Sequence, residues 1–497
     1  MSLIHWWKLD GDLKDRGTNP VNLSYVNNNS LITQNTKGKI GICYERTSTA
    51  NTDCFRTVNK IESLSGDLTM CCWAYVSTTP GDSANGLISN HSHSDNSGFG
   101  ITVKQVSSTD YRISCSTGNG NSRTYFTYYG TTNIKDAWHH LCLTYKRSTQ
   151  IFQLWVDGSV EYTSTEYNNK AISDYFDVFN WSTTYYSNAG YRPACRINDV
   201  RIYDHCLSKK EVRDLSKCLF VHYSLNFEDK MNSNGTYPTA AATWTSVDNN
   251  GYGGSASYNN IAINSSDLIM GNASAKFNGT NSYIEKFIPG NSPNYTCALW
   301  VKFDTTGTSH VTDCRNSAGT QGFQPFYGGL TYGIQFYSTN GGSLQPNAST
   351  CGWSSSDTDK WFHVVGVLTT TGCKLYINGQ LKASNTATKS NPTVWGDLPL
   401  RLGTRLNGQN WFNGKIADAK VFLSELSADD ILDLYQQKEI FDNHGNVYAN
   451  EIVETSNSNI KMKKTSVIIA SELIEEGNNK IQMEDTNIMH TNQFIEN

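Results

Sequence analysis

The sequence predicts an all-β protein with two antiparallel β-sandwiches in tandem and a small C-terminal region of β-repeats. An ordered set of short motifs occurs twice in the chain. Short apolar segments recur between turns rich in Asn, Ser, Thr and Gly, which is typical of sandwiches. A different repeat follows the second copy. We therefore divide the 497 residues into segments 1–217, 218–437 and 438–497.

Four motifs make up the duplication. The first copy contains Trp138-x-His140, 154–158, Ile197-x-Asp199-x-Arg201 and Leu207-Ser208, and the second contains Trp361-x-His363, 375–379, Ile416-x-Asp418-x-Lys420 and Leu426-Ser427. The spacing between corresponding motifs changes by only a few residues from start to end. Such a small drift indicates loop changes around one scaffold.

The elements of each copy are expected in the same order. Residues 5–10 and 222–227 are expected to form the two first strands, with His5 corresponding to His222. Further strands are expected at 69–76, 110–115, 138–145 and 150–156, and their counterparts at 295–303, 332–337, 361–368 and 373–377.

Turn and cap residues mark the ends of several elements. The pairs Asp157-Gly158 and Asn378-Gly379 predict tight hairpins, because both central residues of a type I′ turn need positive φ. Each copy should end in a short helix with Ser208 or Ser427 as N-cap. Glu211 and Asp430, three residues later, come close to a capping box.

These motifs resemble the laminin-G-like, concanavalin-A-like jelly-roll family of lectins and glucanases over roughly residues 1–437. The resemblance rests on the ordered Trp-x-His strand, Asn/Asp-Gly hairpin, Asp-x-basic strand and Leu-Ser helix. It implies two stacked antiparallel sheets in each copy, one of them concave. It also implies glycan or protein binding on the concave face or at its loops.

The segment after residue 437 carries a repeat of its own. Residues 449–454, 470–475 and 491–496 are similar to one another, and their alternating pattern predicts strands. Units this small must stack or trimerise to bury an apolar face. We expect oligomerisation, with a trimer favoured, through the apolar residues Ile452, Val453, Leu473, Ile474, Phe494 and Ile495. The repeat resembles those of phage tail and fibre proteins; an ordinary third β domain is the alternative.

Two loops differ between the copies and are candidate ligand sites. The first contains Trp181, Tyr185, Tyr186 and Tyr191, and the second Arg405, Asn407, Gln409, Asn410 and Trp411. Aromatic rings stack on apolar sugar faces, and Asn, Gln and Arg bond hydroxyls. A protein contact, or rings that only fill the sandwich edge, would explain the same composition. A second candidate contains Tyr125, Phe126, Tyr128 and Tyr129.

The sequence does not favour an enzyme. Laminarinase-type relatives use Glu-x-Asp-x-x-Glu on one strand, and no Glu of this chain is followed two residues later by Asp. Other hydrolase types stay open.

The other polar motifs have structural interpretations. His140 and His363 are read as hydrogen-bonded core histidines beside a core Trp, with a metal-ligand or base role as the alternative. Asp199 and Asp418 are expected to form a structural hydrogen bond or ion pair. Calcium ligation is the alternative that the family implies, so no cofactor is expected except possible calcium. The tract His91-Ser92-His93-Ser94-Asp95 is read as a solvated loop, and no metal site is assigned.

Composition limits the partners. The net charge of −5 and a charged fraction of 17% argue against nucleic-acid binding. Residues 1–25 lack a signal-peptide pattern, and no run of 18 apolar residues occurs, so we expect no membrane insertion. The 13 cysteines do not share positions between the copies, so we expect reduced thiols.

The functional prediction is a structural virion protein, a phage tail-fibre or capsid-surface component made in the host cytosol. Its sandwiches would present sites for a cell-surface glycan or receptor, and its tail would bind itself or other virion proteins. The alternatives are a virion glycan hydrolase or lyase and a decoration protein without ligand. Because fold does not fix function, this step rests on analogy.

Overall fold

A computed structural model shows two compact units, Met1–Cys218 and Leu219–Asn497. The structure describes residues 2–27, 31–49, 53–79, 81, 85–165, 167–184, 192–223, 225, 243–247, 255–264, 266–267, 269, 273–288, 292, 294–307, 309–316, 322–328, 335–338, 358, 360–385, 398–405, 408–436, 447–454, 467–475, 488–491 and 494–496. The predicted all-β class is confirmed.

Within its described residues, unit 1 has an eight-stranded and a seven-stranded antiparallel sheet and one helix. The elements are β1 (Leu3–Trp7), β2 (Leu23–Val26), β3 (Ile32–Asn35), β4 (Cys43–Arg46), β5 (Cys54–Thr57), β6 (Leu68–Thr78), β7 (Asn85–Ser89), β8 (Phe99–Ser107), β9 (Asp110–Gly118), β10 (Arg123–Tyr129), β11 (Trp138–Lys146), β12 (Ile151–Val156), β13 (Ser159–Thr163), β14 (Asp177–Val178), β15 (Ala194–Tyr203) and α1 (Lys209–Ser216). The first sheet has the order β13-β12-β11-β6-β15-β4-β3, with β1 also on β15, and the second β10-β9-β8-β7-β14-β5-β2.

Unit 2 repeats this arrangement in its described part. Its elements are β16 (Leu219–Tyr223), β17 (Thr243–Val247), β18 (Ser255–Asn259), β19 (Ala262–Asn264), β20 (Ser274–Asn278), β21 (Tyr283–Ile288), β22 (Tyr295–Phe303), β23 (Ser309–Arg315), β24 (Gly322–Gly328), β25 (Gln335–Ser338), β26 (Trp361–Thr369), β27 (Gly372–Ile377), β28 (Gln380–Asn385), β29 (Leu398–Leu402), β30 (Asn413–Phe422) and α2 (Ala428–Gln436). The eight-stranded sheet has the order β19-β20-β30-β22-β26-β27-β28, with β16 also on β30, and the seven-stranded sheet β17-β18-β21-β29-β23-β24-β25.

The core of unit 1 lies between its two sheets. Alternate side chains of the strands point inward, and the inward set includes the fully buried rings of Phe55, Phe99 and Phe152. A smaller apolar cluster lies under α1 and contains Trp155 and Val212. Burial of apolar area at about 25 cal/mol per Å² drives this packing.

The predicted hairpin turns are confirmed. Asp157 and Gly158 have φ of 49° and 78°, and Asn378 and Gly379 have φ of 50° and 74°. The Asx side chain also ties the turn to the neighbouring strand. The His140 backbone N–H donates to Asp157 Oδ1 at 2.8 Å, and its counterpart in unit 2 donates to Asn378 Oδ1 at 3.0 Å.

The two helix starts are also confirmed. Ser208 and Glu211 form a complete capping box at α1. At α2 the Ser427 hydroxyl donates to the Asp430 carboxylate at 2.7 Å, and the Asp430 backbone N–H donates back to that hydroxyl at 3.2 Å. These bonds satisfy amide groups that a helix start otherwise leaves without partners.

The repeated aspartates have the structural role that the sequence predicts. Asp199 accepts from Arg201 at 3.0 Å, and Asp418 from Lys420 at 2.6 Å. Each aspartate has positive φ, at 55° and 47°, where its strand departs from regular pairing. A bulge of this kind re-aims side chains, and here it points the carboxylate at the basic residue two positions later.

The first strands of the two units, β1 and β16, correspond with a shift of one residue from the expected match. Trp6 pairs with Arg201 and His222 with Lys420. Trp6 Nε1 accordingly donates to Asp199 at 2.6 Å, and His222 Nε2 lies 2.7 Å from Asp418. His222 is therefore the counterpart of Trp6, whereas the sequence comparison matched it to His5. The motif letters alone could not fix the strand register.

The last four strands form a parallel sheet. They are β31 (Val447–Glu454), β32 (Val467–Glu475), β33 (Ile488–Thr491) and β34 (Phe494–Glu496). Ile452 is in register with Leu473, and Leu473 with Phe494; Val453, Ile474 and Ile495 form the neighbouring column. Each partner is one sequence repeat further along, so the repeats stack in register. The role of these six residues in oligomerisation stays a prediction.

No cysteine in the described part of the chain forms a disulfide bond. Eleven of these thiols are buried and Cys206 is half-buried, whereas Cys351 lies outside the described residues. Small apolar packing explains most of them. Among the described helices, none has the length and hydropathy required to span a bilayer.

Candidate functional site

The seven-stranded sheet of unit 2 carries aromatic and charged side chains on its outer face. Tyr283, Glu285 and Phe287 alternate along β21 with the buried residues Ile284 and Ile288. Alternation places the first three on one side of the sheet. Phe287 is 60% exposed, and large apolar surfaces left in water often mark binding sites.

Arg401 on β29 joins this row. It lies directly opposite Glu285 in the strand register, and its Nε donates to the Glu285 carboxylate. Its guanidinium carbon lies 5.0 Å from the centre of the Tyr283 ring. On its other side Arg401 is opposite Asp313, which accepts two bonds from Arg315 at 2.7 and 2.8 Å. The contacts with Glu285 and Tyr283 therefore position the Arg401 side chain.

The predicted loop of unit 2 borders the same row. The Trp411 ring centre lies 6.2 Å from that of Tyr283, and Gln409 and Asn410 are exposed. A tight turn positions them: the Gly408 N–H donates to the Arg405 carbonyl at 2.9 Å. We call Tyr283, Glu285, Phe287, Arg401 and Trp411 the aromatic face of unit 2.

Arg405 adds positive charge at the border of the aromatic face. His310 is 4% exposed, and burial lowers its pKa to about 3, with the charges of Arg315 and Arg405 acting in the same direction. The His310 imidazole is therefore neutral at physiological pH. The His310 backbone N–H donates to the Asn410 carbonyl at 2.9 Å, which ties the loop to β23.

The aromatic face combines the groups that recognise a polar ring with apolar patches. Its indole and phenol can stack on C–H surfaces. Arginine and amide groups donate to hydroxyl or carboxylate oxygens, and Glu285 accepts. Of the residues predicted in this loop, the structure brings Arg405, Gln409, Asn410 and Trp411 together.

Unit 1 has the same cross-strand ion pair with the charges exchanged. Arg56 on β5 is opposite Asp177 on β14, just as Glu285 on β21 is opposite Arg401 on β29. Arg56 Nε and Nη2 donate to the two Asp177 oxygens at 2.6 and 2.8 Å. The duplicated scaffold therefore preserves the position of this pair but not its polarity.

The outer face of unit 1 is covered by its own chain. Arg56 Nη2 donates to the Thr183 carbonyl at 2.6 Å, and Asn180 donates to Asp177 at 2.8 Å. Asp177 is consequently 0% exposed. Residues 180–183 therefore lie over the ion pair that corresponds to the partly exposed one in unit 2.

Small residues of the sheet let this segment approach closely. The Ser89 and Ser116 hydroxyls donate to the Trp181 carbonyl at 2.9 and 3.2 Å. A Cβ at Gly86 would come within 2.0 Å of the Trp181 nitrogen, so the position requires glycine. Trp181 is 2% exposed and lies 5.3 Å from the His93 ring. For Trp181 the structure favours the alternative, a ring that fills the sandwich edge, over the predicted exposed stacking ring.

Several predicted residues cannot be placed. Tyr185, Tyr186, Tyr191 and Asn407 lie outside the described residues, as do the side chains of Tyr125 and Phe126. In the second candidate, Tyr128 packs 5.3 Å from Phe152 and belongs to the core boundary. Tyr129 is 39% exposed, and Lys104 lies 5.6 Å from its ring.

The histidines of the Trp-x-His motifs, His140 and His363, are buried in the sandwiches. His140 lies 5.4 Å from Trp73 and His363 lies 5.0 Å from Trp300, so the place of both beside a core Trp is confirmed. Among the described residues, the expected hydrogen bond is absent at Nδ1 of both rings. Burial lowers the pKa of His363 to about 3 and keeps it neutral. The Trp partners lie on the neighbouring strands.

The tract 91–95 is solvated only in part: Ser94 and Asp95 are exposed as predicted, whereas His91 and Ser92 are buried. His91 is 0% exposed, and burial, with the neighbouring His93, lowers its pKa to about 3. Asp95 accepts from Ser92 at 2.6 Å. Across the described residues, no group of three or more His, Cys, Asp or Glu could hold a metal ion. Calcium ligation stays a prediction.

Sequence reasoning missed four residues of the aromatic face: Tyr283, Glu285, Phe287 and Arg401. The signal was present in β21, where Tyr283, Glu285 and Phe287 alternate with Ile284, Lys286 and Ile288. Each side of the strand carries one charged residue between apolar or aromatic ones, so the alternation does not show which side faces water. Only the sheet order places Arg401, distant in sequence, beside them.

The two sheets in each unit define a tandem β-sandwich protein. Residues 50–213 and 278–432 match the family model described as concanavalin A-like lectin/glucanases superfamily, in its laminin G branch. These matches cover more than half of the chain, so the chain belongs to this family. The predicted resemblance is confirmed. No curated protein matches the chain.

Several solved structures are similar to the chain. The binding domain of Paraclostridial Mosquitocidal Protein 1 is 13% identical, with 86% of this chain and 98% of that chain covered and a TM-score of 0.36. Domain 4 of AbnA, an extracellular arabinanase from Geobacillus stearothermophilus in complex with arabinotriose, is 23% identical, with 44% of this chain and 98% of that chain covered and a TM-score of 0.30. Domains LG4-5 of the mouse laminin alpha1 chain are 11% identical, with 80% of this chain and 89% of that chain covered and a TM-score of 0.25.

Proposed function

We propose that the chain is a glycan-binding attachment protein and that the aromatic face of unit 2 binds the glycan. The observation that carries this proposal is the row of partly exposed side chains Tyr283, Arg401 and Trp411. Rings 6.2 Å apart at an interplanar angle of 45° can contact adjacent edges of one sugar. Glu285 and the neighbouring amides supply hydrogen bonds to its hydroxyls.

The binding is assigned to unit 2 because the corresponding face of unit 1 is covered. Asp177 is fully buried under residues 180–183, whereas the side chains of Glu285 and Arg401 are 26% and 18% exposed. A ligand at the unit 1 position would have to displace the bonds of Asn180 and Thr183. The two sandwiches therefore differ in recognition while sharing a scaffold.

The proposed role is binding without catalysis. Glu285 is the carboxylate of the aromatic face, and it is paired with Arg401; the neighbouring Asp313 is buried and paired with Arg315. Retaining hydrolysis needs one protonated carboxylic acid and one free carboxylate about 5 Å apart. The pairing with arginine leaves neither of these two carboxylates free for such a role.

We place this attachment protein on a virus particle, as a tail-fibre or capsid-surface component. Lectin-type sandwiches joined to a parallel stack of short repeats support the assignment, because such stacks anchor or oligomerise. Its partners would be other virion proteins, copies of itself and a cell-surface glycan. Immunoelectron microscopy of purified particles tests the location; absence of the chain from particles would contradict it.

A glycan array probed with the full chain tests the binding site. We expect Tyr283→Ala and Trp411→Ala to lower binding about tenfold, since loss of one stacked ring is worth about 1.4 kcal/mol. Leu381→Ala is the matched control, because Leu381 is 52% exposed on β28 of the other sheet of unit 2. Binding that survives both substitutions, or no binding by the unaltered chain, would contradict the proposal.

A further inference from the structure

Arg192 in unit 1 is a buried cation with unsatisfied donors. Its side chain is 0% exposed, and its Nε donates to Asn180 Oδ1 at 3.2 Å. Within the described part of the chain, Nη1 and Nη2 have no hydrogen-bond partner. A guanidinium keeps its charge at any physiological pH. Leaving such donors without acceptors in a protein interior costs several kcal/mol.

Two buried cations lie near each other in this part of unit 1. Arg46 and Arg192 are both 0% exposed, and the charge of Arg192 acts on Arg46. Asp177 is engaged bidentately by Arg56 and does not bond Arg192.

Main-chain oxygens accept the described hydrogen bonds of Arg46. Arg46 Nη1 donates to the carbonyls of Arg192 and Pro193 at 3.1 and 3.2 Å, and its Nε donates to the Asp53 carbonyl at 3.3 Å. Burial lowers the pKa of Arg46 to about 10, so it too stays protonated at neutral pH. Carbonyl dipoles stabilise a cation but leave its net charge unchanged.

The scaffold does not itself require these charges. Arg46 on β4 pairs with Cys195 on β15, and at the corresponding place in unit 2 Phe277 on β20 pairs with Gly414 on β30. Phe277 is therefore the counterpart of Arg46. Phe277 is 0% exposed and lies 5.7 Å from the Phe412 ring. Unit 2 thus fills the corresponding place with packed rings. The pair of buried arginines is a feature of unit 1 alone among the described residues.

We propose that the Arg192 guanidinium of unit 1 binds a small monovalent anion, a halide such as chloride, beneath residues 180–183. An anion at the Arg192 donors would offset the repulsion between the buried Arg46 and Arg192 guanidinium groups. A site with 0% exposure favours a monatomic ion over a phosphate or sulfate. A buried water would accept the N–H groups but would not offset this repulsion. The site is separate from the proposed glycan face.

Bromide is the probe that tests the site directly, because it replaces chloride and scatters anomalously. Crystals of the full chain grown or soaked in sodium bromide should show an anomalous peak within about 3.5 Å of Arg192 Nη1 or Nη2. A water, a protein acceptor or empty density at that position would overturn the proposal.

Solution stability gives an independent readout. At constant ionic strength, replacing gluconate with chloride should raise the melting temperature of the full chain, because an anion that binds only the folded state stabilises it. Arg192→Met should abolish this chloride response, whereas Leu381→Ala should retain it. Equal responses in Arg192→Met and the unaltered chain would contradict the site. If Arg192→Met does not fold, the bromide experiment decides alone.

Discussion

An aspartate on the last strand of each sandwich, Asp199 on β15 and Asp418 on β30, bonds a basic residue and an aromatic ring in both units. Asp199 holds Arg201 and the Trp6 indole, while Asp418 holds Lys420 and the His222 imidazole. The partner ring changed, but the carboxylate geometry did not. The Ile-x-Asp-x-basic motif sufficed to predict the ion pair, whereas the ring partner depends on strand register.

Asp418→Asn should destabilise unit 2 by about 2–3 kcal/mol, because hydrogen bonds to charged groups contribute this much and Lys420 would lose its partner. Denaturant unfolding of the full chain measures the change. Asp136→Asn is the control, since the Asp136 side chain is 51% exposed and its ion pair with Lys135 should contribute little to stability. Equal effects of the two substitutions would contradict the structural role.

The contribution of Asp418 should depend on pH. Burial opposes ionisation, but the charge of Lys420 and the His222 contact outweigh it and lower the Asp418 pKa. A lowered folded-state pKa means that the unfolded state binds the proton more readily. The difference between the unaltered chain and Asp418→Asn should be constant above about pH 4 and shrink below it. A difference that grows on acidification would contradict the assignment.

Two tryptophans of the predicted ligand loops should behave in opposite ways. Trp181→Ala should destabilise unit 1 by about 3–5 kcal/mol, because it empties a buried site. Trp411→Ala should leave stability nearly unchanged and weaken glycan binding. Thermal unfolding and glycan binding measured on both variants separate the effects. Composition predicted an aromatic loop in each copy, but burial depends on Gly86 and the sheet beneath, which composition does not show.

At the scale of elements, local chemistry determined the features that the sequence predicted well. Positive φ, capping boxes and alternation act within a few residues, so the hairpins, helix starts and most strands could be predicted. The one-residue error in matching β16 to β1 has a physical origin. A histidine beside an aromatic residue occurs in both strands, so the letters allow His222 to be matched to His5. Only the pairing of β1 with β15 and of β16 with β30 shows that His222 corresponds to Trp6.

The hairpin after β27 offers a test at this scale. Asn378→Ala should cost about 2 kcal/mol, because alanine is strained at a φ of 50° and cannot accept the His363 N–H. Asn378→Asp should be tolerated, since Asp157 occupies the corresponding position of unit 1. Chemical denaturation compares the two variants, and equal losses would show that the side-chain contact is unimportant.

At the scale of the whole molecule, duplication preserved the scaffold while the outer faces diverged. The carboxylate of the exchanged ion pair is fully buried in unit 1, at Asp177, and 26% exposed in unit 2, at Glu285. The sequence predicted two sandwiches and unlike loops. It could not predict which face stays open, because the covering segment 180–183 acts through contacts with strands distant in sequence.

The C-terminal stack should determine assembly. Removal of residues 438–497 should convert a trimer or other oligomer into a monomer, as measured by multi-angle light scattering. The in-register parallel pairing supports this expectation, because a sheet of a few short strands is barely stable in water without further partners. A full chain that is itself monomeric would contradict the assembly role, as would a truncated chain that keeps the oligomeric state.

Carbene footprinting of the full chain, with and without a glycan that it binds, tests the central proposal most directly. Binding at the aromatic face predicts protection of Tyr283, Phe287, Arg401 and Trp411, with Tyr129 of unit 1 unchanged. Protection confined to unit 1 or to the C-terminal strands, with the aromatic face labelled equally in both states, would contradict it.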